Sequence, residues 1–242
     1  MSVELESAAR LNALKQGIEA KTGETYPDLT DGVNALIAGF GQGGGDTSTE
    51  DGLITRTLTH YENNRVTQIG ASAFNTNTVI EHVSFPSVER LGANAFNGCS
   101  ALKTINFPNL KAGSGNEFRF CSSLIEAVLP AFEGAAPSFG TCTSLKKVDF
   151  GGLLSISNGT FGNCAKLDTV ILRNINQING STMTVLASVG GFSGTPFAVG
   201  GTGGTVYVPA ALIEAYKTAT NWVTLYEAGT CNFVAIEGSE YE

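Results

Sequence analysis

Residues 91–108, LGANAFNGCSALKTINFP, are one unit of a repeat. The same frame returns at 69–86 (IGASAFNTNTVIEHVSFP), 113–130 (GSGNEFRFCSSLIEAVLP), 134–151 (GAAPSFGTCTSLKKVDFG) and 156–173 (ISNGTFGNCAKLDTVILR). Its phenylalanines, Phe74, Phe96, Phe118, Phe139 and Phe161, stand 22, 22, 21 and 22 residues apart. A fixed period of this length marks a stacked repeat protein, because one unit alone cannot bury its apolar face and must lie on its neighbours to make a core. The shared frame is F-x-x-C/N-x-x-L/I followed by a short β-type run.

In that run two apolar positions alternate: Val83 and Phe85, Ile105 and Phe107, Ala127 and Leu129, Val148 and Phe150, Val170 and Leu172. Period two means strand. The residues between and before them point to the opposite face: His82 and Ser84, Thr104 and Asn106, Glu126 and Val128, Lys147 and Asp149, Thr169 and Ile171. These residues are expected to pave one open sheet surface and are the candidate binding face. Pro86, Pro108 and Pro130 end three of the runs, where a missing N–H costs least. The expected fold is an α+β repeat solenoid with a parallel sheet, one strand per repeat of about 22 residues and rungs about 4.8 Å apart, plus a small N-terminal helical module. Both ends of such a solenoid need caps.

The units resemble BspA-type leucine-rich repeats, whose pattern is close to I-x-x-x-A-F-x-x-C-x-x-L-x-x-V-x-x-P. The resemblance covers five repeats over residues 65–174, with 51–64 as entry strand and N-cap. GTVYVPAALIEAYKTATNW, followed by the apolar run Phe233 to Ile236, resembles that family's closing unit, which makes 175–242 the expected C-terminal capping region. Asn77 departs from the pattern by replacing the repeat cysteine, and Gly113 and Gly134 replace the apolar residue that opens a unit. These gaps thin the core there, so irregular curvature is expected.

The chain of 242 residues is 42% apolar and only 15% charged, with 30 glycines, which fits a core-rich protein with many turns. A formal charge of −8 and a single adjacent basic pair, Lys146 and Lys147, argue against a nucleic-acid partner. No charged region followed by an apolar core opens the sequence, and no apolar run is long enough to cross a bilayer, so neither ordinary secretion nor membrane insertion is expected. Cys99, Cys121, Cys142 and Cys164 share one repeat position. Side chains projecting in parallel from successive rungs are poorly placed for disulfides and do not converge on a metal, so these are expected to be buried structural thiols. Cys231 stands outside that ladder.

Residues 1–40 carry helical periodicity instead, with Leu5, Leu11, Leu14 and Ile18 on one stripe and Val33, Leu36 and Ile37 on another. Two helices this small have too little to bury against each other. They either fold back as a cap on the solenoid or self-associate or dock on another protein. The Gly-rich linker at 41–50, GQGGGDTSTE, favours the second, because such a tether uncouples what it joins. LNALKQGIEAKTGETYPDLTDGVNALIAGFGQGG resembles a helical module found at the start of phage and prophage structural proteins of gut Firmicutes, and DGLITRTLTHYENNRVTQIG resembles the entry strand that precedes such repeats in phage tail proteins. These resemblances imply a virion component. They also imply other virion proteins as partners of the N-terminal module and, by analogy with fibres, a homotrimer.

Chemistry is sparse. His60 and His82 are the two histidines, the carboxylates fall on different rungs, and no Gly-x-Ser-x-Gly, P-loop or HExxH is present. No catalytic, cofactor or metal residues are assigned. The first expectation is a non-enzymatic virion structural protein, in a tail, baseplate or head fibre, that binds a host surface glycan or protein. The alternative is a BspA-like bacterial cell-surface adhesin, and a surface-glycan hydrolase stands third because it would need a catalytic carboxylate pair.

Overall fold

In the computed structural model, residues 59–173 and 183–242 are described. The expected helical module at 1–40, with Leu5, Leu11, Leu14, Ile18, Val33, Leu36 and Ile37, lies outside the described residues. So do the linker and residues 51–58.

In chain order the first strands are β1 (His60–Glu62), β2 (Gln68–Ile69), β3 (His82–Ser84), β4 (Arg90–Leu91), β5 (Thr104–Asn106) and β6 (Ala112–Gly113). They are followed by β7 (Glu126–Leu129), β8 (Lys147–Phe150), β9 (Ser155–Ile156), β10 (Thr169–Leu172), β11 (Val185–Leu186), β12 (Gly204–Val208) and β13 (Cys231–Ala235). Every pairing among them is parallel. The expectation of one strand per repeat needs correcting. A typical coil contributes a long strand and then, a few residues on, a two-residue strand, and the two kinds form separate ladders. The short strand was missed because a two-residue segment shows no alternation to read. Ile69, Leu91 and Ile156 in those segments look like ordinary loop-anchoring apolar residues.

The core is a column of aromatic rings. Phe74 stacks on Phe96 at 4.8 Å between centroids, Phe96 on Phe118 at 5.6 Å, Phe118 on Phe139 at 5.3 Å, Phe139 on Phe161 at 5.9 Å and Phe161 on Phe192 at 5.4 Å. Tyr61, Phe85 and Phe107 form a second, shorter column whose rings meet the first at steep angles. Beside the main column each repeat thiol reaches back one rung. Cys99 donates to the Phe74 carbonyl (3.0 Å), Cys121 to Phe96 (3.2 Å), Cys142 to Phe118 (3.0 Å) and Cys164 to Phe139 (3.1 Å). Asn77 stands in the thiol's place in its coil, and its Oδ1 accepts the Val79 and Ile80 N–H groups.

Two residues after each column phenylalanine the backbone turns left-handed, at Thr76, Gly98, Phe120, Thr141, Asn163 and Gly194, with φ between 59° and 76°. Glycine and asparagine adopt this conformation readily, whereas a β-branched or bulky residue is strained there.

Both ladders break at one level. The long-strand sheets run β1-β3-β5 and β7-β8-β10-β12-β13, and the short ladders run β2-β4-β6 and β9-β11, with Ala135 bridging to Ser155. The seam between the two halves coincides with the glycine gaps. The short-strand row reads Ile69, Leu91, Gly113, Gly134, Ile156, Leu186, so its apolar stack is missing in the middle. A Cβ on Gly113 would lie on the Glu117 carboxylate, and the ring of Phe132 lies beside Gly134. The buried Glu117 accepts the Gly115 N–H on one oxygen and the Ser138 N–H (3.2 Å) on the other. A carboxylate thus fills the space that a branched apolar side chain fills elsewhere.

At the other end, β12 leads through Pro209 into α1 (Ile213–Thr218) and α2 (Trp222–Glu227), and the chain returns as β13. Trp222 and Tyr216 are fully buried; the indole N–H donates to the Thr184 carbonyl (3.0 Å) and the Tyr216 hydroxyl accepts the Thr184 N–H (2.8 Å).

Removing a ring from the middle of the column should be costly. Phe118→Ala is expected to lower stability by about 3–5 kcal/mol in denaturant unfolding. Thr141→Asn, which places at φ 65° the residue type the next coil uses, is expected to raise it by about 1 kcal/mol.

Candidate functional site

Along the long strands, Tyr61, Val83, Ala127, Val148, Val170, Val206 and Phe233 point into the core and are buried. The outward residues form two rows. One runs His60, His82, Thr104, Glu126, Lys147, Thr169 and the other Glu62, Ser84, Asn106, Val128, Asp149, Ile171, by the pairing register within each sheet and by the repeat frame from β5 to β7.

From β1 to β7 none of the described residues straps this face. His60 and His82 stack at 4.3 Å, and His82 Nδ1 lies 2.7 Å from the Thr104 hydroxyl. The Asn106 amide donates to the Ser84 hydroxyl at 3.0 Å. Lys103 pairs with Glu81 at 2.7 Å, holding the Glu81 carboxyl below its ordinary range, and Lys147 pairs with Glu126 at 2.8 Å, which raises the lysine. His82, Ser84, Thr104, Asn106, Glu126 and Val128 all present surface here, with Val128 39% exposed.

From β8 onward the face is strapped, and the expectation of a uniformly open surface needs correcting at two residues. Asp149 is 6% exposed and Ile171 fully buried. Arg173 grips Asp149 through two hydrogen bonds of 2.8 Å and donates a third to the Tyr241 carbonyl at 2.9 Å. The Tyr241 ring packs on Tyr207 at 4.7 Å and lies 5.8 Å from the Lys147 ammonium. The C-terminal segment therefore lies across β8, β10 and β12. Lys147 and Thr169 keep partial exposure at its margin. Strand alternation assigns a side of the sheet, and no local signal in residues 237–242 says that they return to cover it.

Where the sheet divides, Thr104, Ile105, Asn106 and Pro108 face Glu126, Val128 and Pro130 across a cleft of about 220 Å³. Ile105 keeps partial exposure, whereas Tyr61, Val83, Ala127, Val148, Val170 and Val206 at the matching position of the other long strands are buried. His60 and Glu62 join the open face from β1, a placement the alternation of the entry segment could have supplied.

The thiols are all buried and unbridged. Burial pushes the Cys121 thiol well above its ordinary range, and pushes Cys231 up to about 12. Among the described residues no group of three or more His, Cys, Asp or Glu side chains could hold a metal ion. Nor is any helix among them long and apolar enough to cross a membrane.

Parallel ladders, a ring column and a period of 22 residues define a leucine-rich-repeat-like protein. Residues 60–134 match, in six copies, the family described as BspA type Leucine rich repeat region. No curated protein matches the chain. Among solved structures the chain is similar to a leucine rich cell surface protein from Faecalibacterium prausnitzii, with 22% identity, 68% of this chain and 47% of that chain covered, and a TM-score of 0.44. It is also similar to the pneumococcal vaccine antigen PcpA, with 13% identity, coverage of 74% and 42%, and a TM-score of 0.42. A Treponema pallidum leucine-rich repeat protein has 17% identity, coverage of 70% and 80%, and a TM-score of 0.34. The chain spans less than half the length of the first two.

Breaking the strap from either side should have unequal consequences. Arg173→Ala leaves Asp149 buried without its cation and is expected to cost about 3 kcal/mol, whereas Asp149→Ala frees a partly exposed arginine and should cost about 1 kcal/mol. Thermal melts of both variants check the order. Cys231 adds a pH dependence. An unfolded thiol ionises near 8.5 while the folded one holds its proton to about 12, so the folded state binds more protons in between and stability falls as pH rises through that window. The stability difference between the native chain and Cys231→Ala, measured by urea unfolding, should shift against the native chain between about pH 8 and pH 11.

Proposed function

We propose that this chain is a non-enzymatic binding protein of the bacterial cell surface, using the open face of β1, β3, β5 and β7 for adhesion. The observation that carries this is the contrast along the row of long strands. The outward rows are strapped by the chain's own C-terminal segment over β8 to β12 and left open over the first four long strands. Buried and exposed stretches of one repeating surface differ in what they can offer a partner. The open part displays hydroxyls, an amide, stacked imidazoles and internally balanced ion pairs, a set suited to many weak contacts that gain strength when several copies act together.

The BspA-type repeats of residues 60–134 span this same part of the chain, and they favour the surface-adhesin reading over a virion location. The virion reading, with other virion proteins as partners and a homotrimeric state, rests on the resemblances of residues 11–44 and 51–70 alone. It takes second place.

The test is adhesion of the fluorescently labelled chain to a panel of bacterial and animal cells. The triple variant His82→Ala, Asn106→Ala, Glu126→Ala should lose tenfold or more of the bound signal with an unchanged melting curve. Asn232→Ala, on β13 beyond the strap, should keep it. Equal adhesion by the triple variant would move the site off this face.

A further inference from the structure

We infer that the seam between β5 and β7 is a subsite for one ring of a neutral glycan, whose hydroxyl groups take the hydrogen-bonding positions that the divided sheet leaves open. The inference rests on the adhesive reading of the open face and names what that face takes.

The backbone supplies the first argument. In the rung before the seam, Thr104 lies opposite His82, and the Phe85 N–H donates to the Asn106 carbonyl at 2.9 Å. The alternation of a parallel ladder then turns the main-chain groups of Ile105 and Phe107 the other way, toward Glu126 and Val128. There the ladder is not made. Among the described residues no strand pairing joins β5 to β7, and at the start of the seam the Ile125 N–H reaches the Lys103 carbonyl at a long 3.4 Å. By that alternation the N–H and carbonyl groups of Ile105, Glu126 and Val128 and the Phe107 N–H turn toward the edge where β5 and β7 do not pair. Such groups require water or a ligand. A hydroxyl both donates and accepts, so a ligand bearing several of them can serve opposed N–H and C=O groups at once, which an anion or an aliphatic chain cannot do.

The side chains supply the second. Ile105, Pro108, Val128 and Pro130 give apolar contact, and Thr104, Asn106 and Glu126 stand at the rim. This pairing of an apolar surface with a polar rim matches a pyranose, which has C–H faces and a belt of hydroxyls. At about 220 Å³ the cleft is smaller than the roughly 300–1,000 Å³ that engulfs a drug-sized molecule, so it takes one ring and leaves the rest of the glycan on the open face.

Charge supplies the third. The lysines that flank the seam, Lys103 and Lys147, are committed to Glu81 and Glu126, and the chain carries −8 overall. A sialylated or sulfated sugar would meet carboxylates and spent cations, so the ligand is neutral.

Two measurements on the full chain test this. The first is binding to an immobilised panel of neutral oligosaccharides ending in galactose, glucose or N-acetylglucosamine, beside their sialylated and sulfated forms. Neutral members should bind. Val128→Arg, which lays a charged arm across the cleft from an exposed position, should weaken binding tenfold or more, and Asn232→Arg should leave it unchanged. The second is amide hydrogen exchange. The Ile105, Phe107 and Val128 amides should exchange faster than the ladder-paired Asn106 and Val148 amides, and should slow when the bound neutral oligosaccharide saturates the chain.

Binding by Val128→Arg equal to that of the native chain would overturn the subsite, as would preference for the anionic forms or seam amides whose exchange the sugar does not change. Adhesion to cells without any glycan bound would overturn the sugar and leave the adhesive face standing. Loss of both would remove the adhesive reading as well.

Discussion

Everything in this fold depends on each coil lying against the next. The phenylalanine column is the contact that enforces it, because a ring in one coil packs between the rings of the coils above and below. The repeat thiol fixes the same contact from the side. It donates to the phenylalanine carbonyl of the preceding rung, which also accepts the N–H three residues on in its own coil, so the thiol ties one coil to the turn of the next. A serine could donate there too, but it would carry a more costly polar group into a dry column, whereas a thiol packs as a small hydrophobe. Column, thiol and turn form one device repeated along the chain.

The device is also what allows the sheet to divide. Each net ladder hydrogen bond contributes on the order of 1 kcal/mol, while truncating a buried phenylalanine costs about 3–5 kcal/mol. Phe96, Phe118 and Phe139 continue across the seam without interruption, and backbone bonds at its margins, from Glu133 to Lys111 and from Phe96 to Glu117, stay in place. The loss of a few ladder bonds is therefore small beside what the column retains. Glu117 shows the same logic on the opposite side of the coil, where a carboxylate held by the Gly115 and Ser138 N–H groups stands in for the apolar residues that Gly113 and Gly134 lack.

The sequence carried the parts of this architecture that repeat. The recurring phenylalanine, the cysteine three residues on and the two alternating apolar positions all mark features whose physical cause lies within one unit or between adjacent units. What stayed illegible arises from a single occurrence. Two-residue strands such as β4 are too short to show a period. Asp149 is held by Arg173, which also reaches the Tyr241 carbonyl, and Tyr241 is remote in sequence and belongs to no repeat. The glycines at 113 and 134 were visible as missing core, but whether a missing side chain bends a solenoid, is filled by a neighbour or opens a sheet depends on Glu117, Phe132 and the strands together.

A regular solenoid offers the same surface at every rung, so a partner that reads one rung reads them all. Discrimination requires a break in that regularity, and the long-strand face has two. The strap removes β8 to β12 from contact, and the seam gives the remaining open face one position unlike the others, with main-chain donors and acceptors set between apolar walls. Side chains of a single row can vary without disturbing the column beneath them. Backbone groups can be exposed mid-sheet only where the ladder fails, which happens here beside the two glycines. The residues that weaken the stack are thus the same ones that give this repeat surface a place to be specific.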